Sequence, residues 1–341
     1  MTVDAFRPEV PLVAAPMAGG ASTPQLVAAV NGAGGLGFLA AGYRSAAAVA
    51  EQIRAVRELT GRPFGLNLFV PAEPGDPGDP GAVAAYRERL RPEAERYGVD
   101  LPAVIAPDRD DWDAKIALLL ADPVPVVSYT FGLPSPAEAE ALRAAGTVQV
   151  GTVTSPAEAR AAAEAGMDVL TVQGPEAGGH RATHRAAATP GTVPLLDLLA
   201  EVRAEVDLPL IAAGGIADAA GLAAALGAGA VAAQLGTAFL RCTESGATAA
   251  HRAALVDERF TATAVTRAFT GRPARGLRNA FIERYEPYAP TAYPEVHHLT
   301  QPLRAAAAGR GDLEAMHLWA GTGHRLARTG PAADVVRALA G

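Results

Sequence analysis

A (β/α)8 TIM barrel, an α/β fold, with a smaller mainly helical cap is the architecture that the sequence predicts, and three observations predict it. Eight short apolar runs alternate with alanine-rich stretches. Most of these runs are almost continuously apolar, which is the pattern of parallel strands covered on both faces. The stretches between them end on a recurring signal, a glycine just before the next strand, as in Gly32-Ala33-Gly34-Gly35, Ala145-Gly146, Ala165-Gly166 and Gly227-Ala228-Gly229. Glycine there accepts the left-handed conformation that closes a helix. Eight such units in about 240 residues match a barrel in size and number. A doubly wound open sheet is the rival, and it requires no count of eight.

In chain order the expected strands are Leu12–Ala15, Leu36–Ala40, Phe64–Phe69, Val124–Phe131, Thr147–Val153, Val169–Gln173, Leu208–Ala213 and Ala230–Gly236. Helix starts follow several of them. Ser22-Thr23-Pro24, Ser135-Pro136 and Ser155-Pro156 each set a capping hydroxyl before a proline suited to the first turn. Ser155 and Glu158 have the spacing of a capping box. Pro71–Gly81, rich in Pro, Gly and Asp, reads as a loop inserted after the third strand, followed by a helix near Ala82–Tyr97. The barrel is expected over 1–240, completed by a last helix within about 311–341 that returns to the barrel wall near Val335–Leu339. Residues 241–310 are expected to form the cap.

Composition narrows the function. The chain has 341 residues, 50% of them hydrophobic, and a net charge of −7. That is enough to bury a large core. Basic residues are scattered without interleaved aromatics, which argues against a nucleic-acid partner. No apolar run reaches the length of a membrane span, and Met1–Glu9 lacks a signal-peptide core. Cys242 is the single cysteine, so neither an internal disulfide nor a cysteine-based zinc site can form. These features together predict a cytoplasmic protein.

The candidate site lies where chemistry collects in such barrels, at the C-terminal ends of the strands. The sixth strand runs into Gln173-Gly174-Pro175-Glu176-Ala177-Gly178-Gly179-His180-Arg181. It places the imidazole of His180 after a flexible glycine pair. The blander reading is a loop histidine that merely closes the mouth. The loops after the last two strands read Ala212-Ala213-Gly214-Gly215-Ile216 and Gln234-Leu235-Gly236-Thr237. Bare glycine N–H groups at both positions suit a phosphate, with the Thr237 hydroxyl as an added donor; either loop alone reads equally as a tight turn. Asn67 and Gln173 offer amides near strand ends, and Met17 lies in the open turn Ala15-Pro16-Met17-Ala18-Gly19-Gly20. Amides, glycines and one histidine, with almost no carboxylate, suit a neutral aromatic cofactor carrying one phosphate. His180 and His184 have an i, i+4 metal spacing but no clear third ligand, so no metal is expected. Trp319, in Leu318-Trp319-Ala320-Gly321-Thr322-Gly323, reads as a core aromatic under the last helix or as a lid over the site.

These motifs, in their order and spacing, resemble the nitronate monooxygenase family, formerly the 2-nitropropane dioxygenases. The resemblance runs through Ala15–Gly20, Gly34–Tyr43, Asn67–Pro71, Ser128–Gly132, Gln173–Arg181, Ala212–Ile216, Gln234–Leu240 and Glu244–Ala247. It implies an FMN enzyme acting on small nitronates with O2, releasing a carbonyl compound and nitrite. It implies that Asn67, Gln173, Gly178 and Gly215, with its neighbour Gly214, contact FMN. Gln234, Leu235, Gly236 and Thr237 would then hold the phosphate, Met17 would line the flavin, and His180 would be the catalytic base or would orient the substrate. Arg181-Ala182-Thr183-His184 departs from the Arg-Gly continuation frequent in the family. Two alternatives stay open: an FMN-dependent enoyl-acyl-carrier-protein reductase, which shares the barrel and a similar Glu-Ala-Gly-Gly-His run, and a non-catalytic flavin-binding barrel.

Overall fold

The computed structural model describes residues 8–72, 78–106 and 108–341. Eight parallel strands close the expected barrel: β1 (Leu12–Ala14), β2 (Leu36–Ala40), β3 (Gly65–Phe69), β4 (Val126–Thr130), β5 (Val148–Val153), β6 (Val169–Gln173), β8 (Leu210–Ala213) and β9 (Ala232–Leu235). β1 pairs with both β2 and β9, so the sheet has no free edge. The barrel lumen is filled by Val13, Leu36, Phe38, Val126, Val148, Val150, Val169, Ile211 and Ala232. Branched and aromatic side chains thus make it a packed core rather than a pore.

The barrel's outer layer comprises α1 (Pro24–Gly32), α2 (Ala46–Leu59), α4 (Trp112–Ala121), α5 (Pro136–Ala144), α6 (Pro156–Glu164), α7 (Leu195–Arg203), α8 (Ala219–Gly227) and α12 (Ala332–Ala340). Thr23, Ser135 and Ser155 cap their helices as expected. The capping box forms at Ser135–Glu138 and not at Ser155–Glu158. Glu158 is drawn elsewhere: it accepts from the Thr154 N–H and hydroxyl and from His184 N–H. α12 packs Ala332, Val335, Val336 and Leu339 against Leu26 and Val30 of α1 and Leu222 of α8, at the wall where the sequence places a returning helix.

The segment 241–310 combines three α-helices, one hairpin and the loops that join them. It contains α9 (Ala249–Ala254), β10 (Thr263–Thr266), β11 (Ala274–Leu277), α10 (Ala280–Tyr285) and α11 (Glu295–Arg310). Its apolar core also takes in α3 (Pro80–Tyr97), the helix after the Pro71–Gly81 insertion, through Tyr86, Leu90 and Tyr97 beside Phe281, Leu299 and Leu303. Residues 73–77 of that insertion lie outside the described residues. A two-residue strand, β7 (Gly179–His180), leaves the barrel after β6 and pairs antiparallel with β11. The histidine loop is therefore an edge strand of the cap's sheet. Among the described residues no helix is long and apolar enough to cross a membrane.

Candidate active site

His180 is held by its backbone and its ring separately. β7 pairs His180 with Ala274 of β11. The Gln173 side chain spans the loop: Nε2 donates to His180 O at 3.0 Å, and Oε1 accepts from Ala182 N–H at 2.9 Å. Both ends of that amide fasten the loop. Arg181, 1% exposed, locks it from beneath by donating to the carbonyls of Gly174 and Gln173. On the ring, His180 Nε2 lies 2.9 Å from Thr270 Oγ1. His184 turns the opposite way, donating from Nε2 to Thr152 O at 3.0 Å. The two histidines diverge, and among the described residues no cluster of three His, Cys, Asp or Glu is placed to hold a metal.

Aromatic rings enclose the imidazole. Phe131, Tyr293 and Trp319 have centroids 5.5, 5.7 and 5.7 Å from it. Of the two readings of Trp319, the position under the last helix is not adopted; the ring stands beside His180 and Phe269 at the mouth. Tyr43 stacks flat on His297 at 4.1 Å, and Tyr293 donates to the Tyr43 hydroxyl at 3.2 Å. Tyr43 and Phe131 both have left-handed backbones, with φ of 65° and 78°. For bulky side chains that conformation costs about 1–2 kcal/mol each.

Two buried guanidinium groups lie beside this chamber. Arg272 lies 3.9 Å from the centre of the Phe131 ring and donates to Thr183 O. Arg304, 7% exposed, contacts neutral partners: Thr300 Oγ1 at 3.0 Å, His297 O at 2.8 Å, His297 Nδ1 at 3.3 Å and His317 Nε2 at 3.5 Å. Desolvation, then the Arg272 and Arg304 cations, hold the His180 imidazole down to about 3. Desolvation and Arg304 lower His297 to about 2 and put His317 well below the usual range. The three imidazoles are thus neutral at physiological pH, next to two buried guanidinium groups.

The other strand ends form a cradle beside this chamber. Gly214 and Gly215 have φ of 125° and 71°, a backbone that only glycine adopts easily. The N–H groups of Gly215, Gly236 and Thr237 donate to no acceptor among the described residues. Three bare donors on the loops that follow two neighbouring strands fit a phosphate. Asn67, 2% exposed, spends its Nδ2 on Ser128 O, Ser128 Oγ and Thr130 Oγ1 at 3.2, 2.9 and 3.0 Å. Its Oδ1 has no donor among the described residues. An amide oxygen left without a donor on an otherwise buried side chain suits the imide N–H of an isoalloxazine ring. The donor set therefore fits FMN. Met17 Sδ lies 3.6 Å from where a Cβ on Gly236 would stand, so the two strand ends meet. Gln234 sits half-buried on β9, opposite Val13 and Ala213. The Leu235 side chain packs in the core beside α12, so only its backbone can serve the cradle.

The sequence did not single out several residues that the structure brings here. Ala320-Gly321-Thr322-Gly323 crosses the glycine loops: Gly321 N–H donates to Thr237 Oγ1 at 3.0 Å, and Thr322 N–H to Glu176 O at 3.1 Å. A Cβ on Gly178 would collide with Gly321 N and lie 2.5 Å from Ala320 C. Gly178 is thus a glycine because this segment presses on it. Its Gly-Thr-Gly pattern was the available signal. Thr270, Arg272, Tyr293, His297 and Arg304 carried none, since each comes from the cap and is far from His180 in sequence.

Comparison with known proteins agrees with this geometry. The family model for nitronate monooxygenase matches residues 3–341. A "probable nitronate monooxygenase" of Staphylococcus aureus (strain Newman) is 38% identical, aligned over 96% of this chain and 92% of that protein. One from Staphylococcus saprophyticus is also 38% identical, over 93% and 89%. Among solved structures, the nitroalkane oxidase from Streptomyces ansochromogenes superposes with a TM-score of 0.95 at 52% identity, covering 99% of this chain and 97% of that one. FabK from Thermotoga maritima superposes with a TM-score of 0.74 at 28% identity, over 99% and 93%. A whole-chain family match, carried on a closed eight-stranded barrel, makes this chain a member of the nitronate monooxygenase family.

Proposed function

We propose that this enzyme is an FMN-dependent nitronate monooxygenase that oxidises small nitronates with O2 to a carbonyl compound and nitrite. The observation that carries the reading is a neutral imidazole, His180, at the same barrel mouth as an unspent set of phosphate and ring-edge partners. In this reading the barrel, residues 1–240 with 311–341, holds the cofactor, and 241–310 closes over the substrate. The absence of any cysteine pair fits a cytoplasmic location.

The chain's residues divide the work. Gly214, Gly215, Gly236 and Thr237 bind the phosphate, and Asn67 accepts from the ring edge. Met17 lines the ring, while Gln173 and Gly178 secure the loop that brings His180 above it. Arg304, whose hydrogen-bond partners are all neutral, sets a positive field that favours an anion in the chamber. His180 accepts the α-proton of a nitroalkane or orients its anion. FMN, when bound, supplies electron transfer between nitronate and dioxygen.

Oxygen uptake with propionate 3-nitronate, accompanied by nitrite, is the expected activity, and with nitroethane, whose α-proton must be removed, His180→Asn lowers it about a hundredfold. NADH oxidation with crotonyl thioester, without nitronate-dependent oxygen uptake, would instead identify the enoyl reductase. Full activity in His180→Asn would remove the role given to the imidazole.

A further inference from the structure

We propose that Asp110 is a positioning residue that clamps Tyr43 at one corner of an aromatic box beyond His180, and that this clamp limits the length of carbon chain the site accepts. The inference rests on the nitronate reading above and extends it to the size of the substrate.

The box is a closed circuit of four rings. Tyr43 meets Phe69 edge-on at 5.4 Å, Phe69 lies 4.6 Å from Phe131, and Phe131 lies 5.3 Å from Tyr293. Tyr293 closes the circuit by donating to the Tyr43 hydroxyl at 3.2 Å. Of these four rings His180 touches Phe131 and Tyr293. A substrate with its reacting carbon at His180 runs its carbon chain toward the opposite side, Phe69 and Tyr43.

The barrel itself places two corners, because Phe69 ends β3 and Phe131 follows β4. Tyr43 lies in the loop between β2 and α2, on a left-handed backbone that its bulk disfavours. Among the described residues four non-glycine residues have such a backbone, and three of them, Tyr43, Asp110 and Asp111, meet at one junction. Asp110 Oδ1 accepts from Tyr43 N–H at 2.7 Å, and Asp111 Oδ2 accepts from Ala46 N–H, at the start of α2, also at 2.7 Å. The second Asp110 oxygen stands 2.8 Å from Nζ of Lys115, the chain's single lysine, which is 1% exposed. Neither charge is easily buried without the other, so the pair fixes the carboxylate beneath Tyr43. A bond to an ionised acceptor is roughly twice as strong as one to a neutral acceptor, and here it is spent on holding a strained tyrosine. From the cap, His297 stacks on the Tyr43 ring at 4.1 Å and backs the same corner.

The test compares the wild type with two double variants, using ethylnitronate and hexylnitronate. Each carries Lys115→Met, so that no cation is left buried alone. Asp110→Gly with Lys115→Met keeps the left-handed backbone without strain and removes the acceptor. In it, kcat/KM for hexylnitronate relative to ethylnitronate rises about tenfold, through KM, the size of one lost hydrogen bond to a charged group. Asp110→Asn with Lys115→Met retains a weaker, neutral acceptor, and the ratio moves by less than about threefold. The 19F spectrum of protein carrying 3-fluorotyrosine, with Tyr43 assigned by its loss in Tyr43→Phe, reads the clamp without turnover. The Tyr43 signal shifts toward that of free fluorotyrosine in the first double variant and stays near the wild-type position in the second. An unchanged ratio or an unmoved Tyr43 signal in the first variant overturns the inference, and so does a second variant that behaves like the first. Wild type that oxidises neither nitronate overturns the nitronate reading itself, and the clamp on Tyr43 is still decided by the spectra.

Discussion

Replacing Gly178 by alanine tests whether the histidine loop and the Ala320–Gly323 segment act as one unit. The added Cβ collides with Gly321 N and stands 2.5 Å from Ala320 C. Ordinary contact needs roughly 1 Å more, so one backbone must move. Overpacking of this kind costs about 1–3 kcal/mol. The moving segment is held by Gly321 N–H on Thr237 Oγ1 and Thr322 N–H on Glu176 O, at 3.0 and 3.1 Å. Losing both adds about 1 kcal/mol each, for a total of about 3–5 kcal/mol. A chain of 341 residues has an unfolding entropy near 0.7 kcal/mol/K, so Tm should fall by about 4–7 °C. FMN titration should show affinity weakened about tenfold, because Thr237 belongs to the cradle. Gly61→Ala is the control, since its Cβ meets nothing within 4 Å. If Gly178→Ala melts within 1 °C of the wild type and binds FMN equally well, the two segments are not coupled as described.

The remaining predictions concern acid and the ring-edge amide. His180, His251 and His297 are held to about 3, 4 and 2, against about 6.5 when unfolded, so between those limits the unfolded chain binds more protons and stability falls as pH falls. Each contributes a loss of about 2 kcal/mol between pH 7 and pH 5. Asp110, raised to about 6 by desolvation, opposes them over part of the window. The urea midpoint should drop from pH 7 to pH 5, and a flat or rising midpoint contradicts the neutral-histidine assignment. Asn67→Ala should weaken FMN binding by about tenfold, from one lost hydrogen bond near 1.4 kcal/mol; unchanged affinity in a flavin fluorescence titration removes Asn67 from the ring edge.

The barrel was legible because its signals are local. Eight apolar runs, four of them preceded by glycines, map onto eight paired strands, and Gly34, Gly146, Gly166 and Gly229 all have the left-handed φ that their positions imply. Gln173 ends β6 and Gly215 follows β8, whereas Asn67 stands third of five in β3. Interactions set by tertiary competition were not legible. Glu158 has capping-box spacing but turns to His184, a partner that no spacing rule reveals. Gln173 offers an amide, yet only the fold shows both its ends securing the His180 loop. Thr270 comes near His180 because β11 pairs with β7, and Arg304 because α11 stacks its His297 on Tyr43. Those long-range pairings join segments about 90 residues apart or more, beyond any periodicity.

The central claim is that the rim of this barrel grips FMN and exposes it to a nitronate. The visible spectrum of the purified protein, before and after anaerobic addition of propionate 3-nitronate, tests it most directly. The account predicts an oxidised flavin spectrum that bleaches on addition and returns with air. A colourless protein that takes up no added FMN, or a bound flavin that the nitronate leaves oxidised, contradicts it.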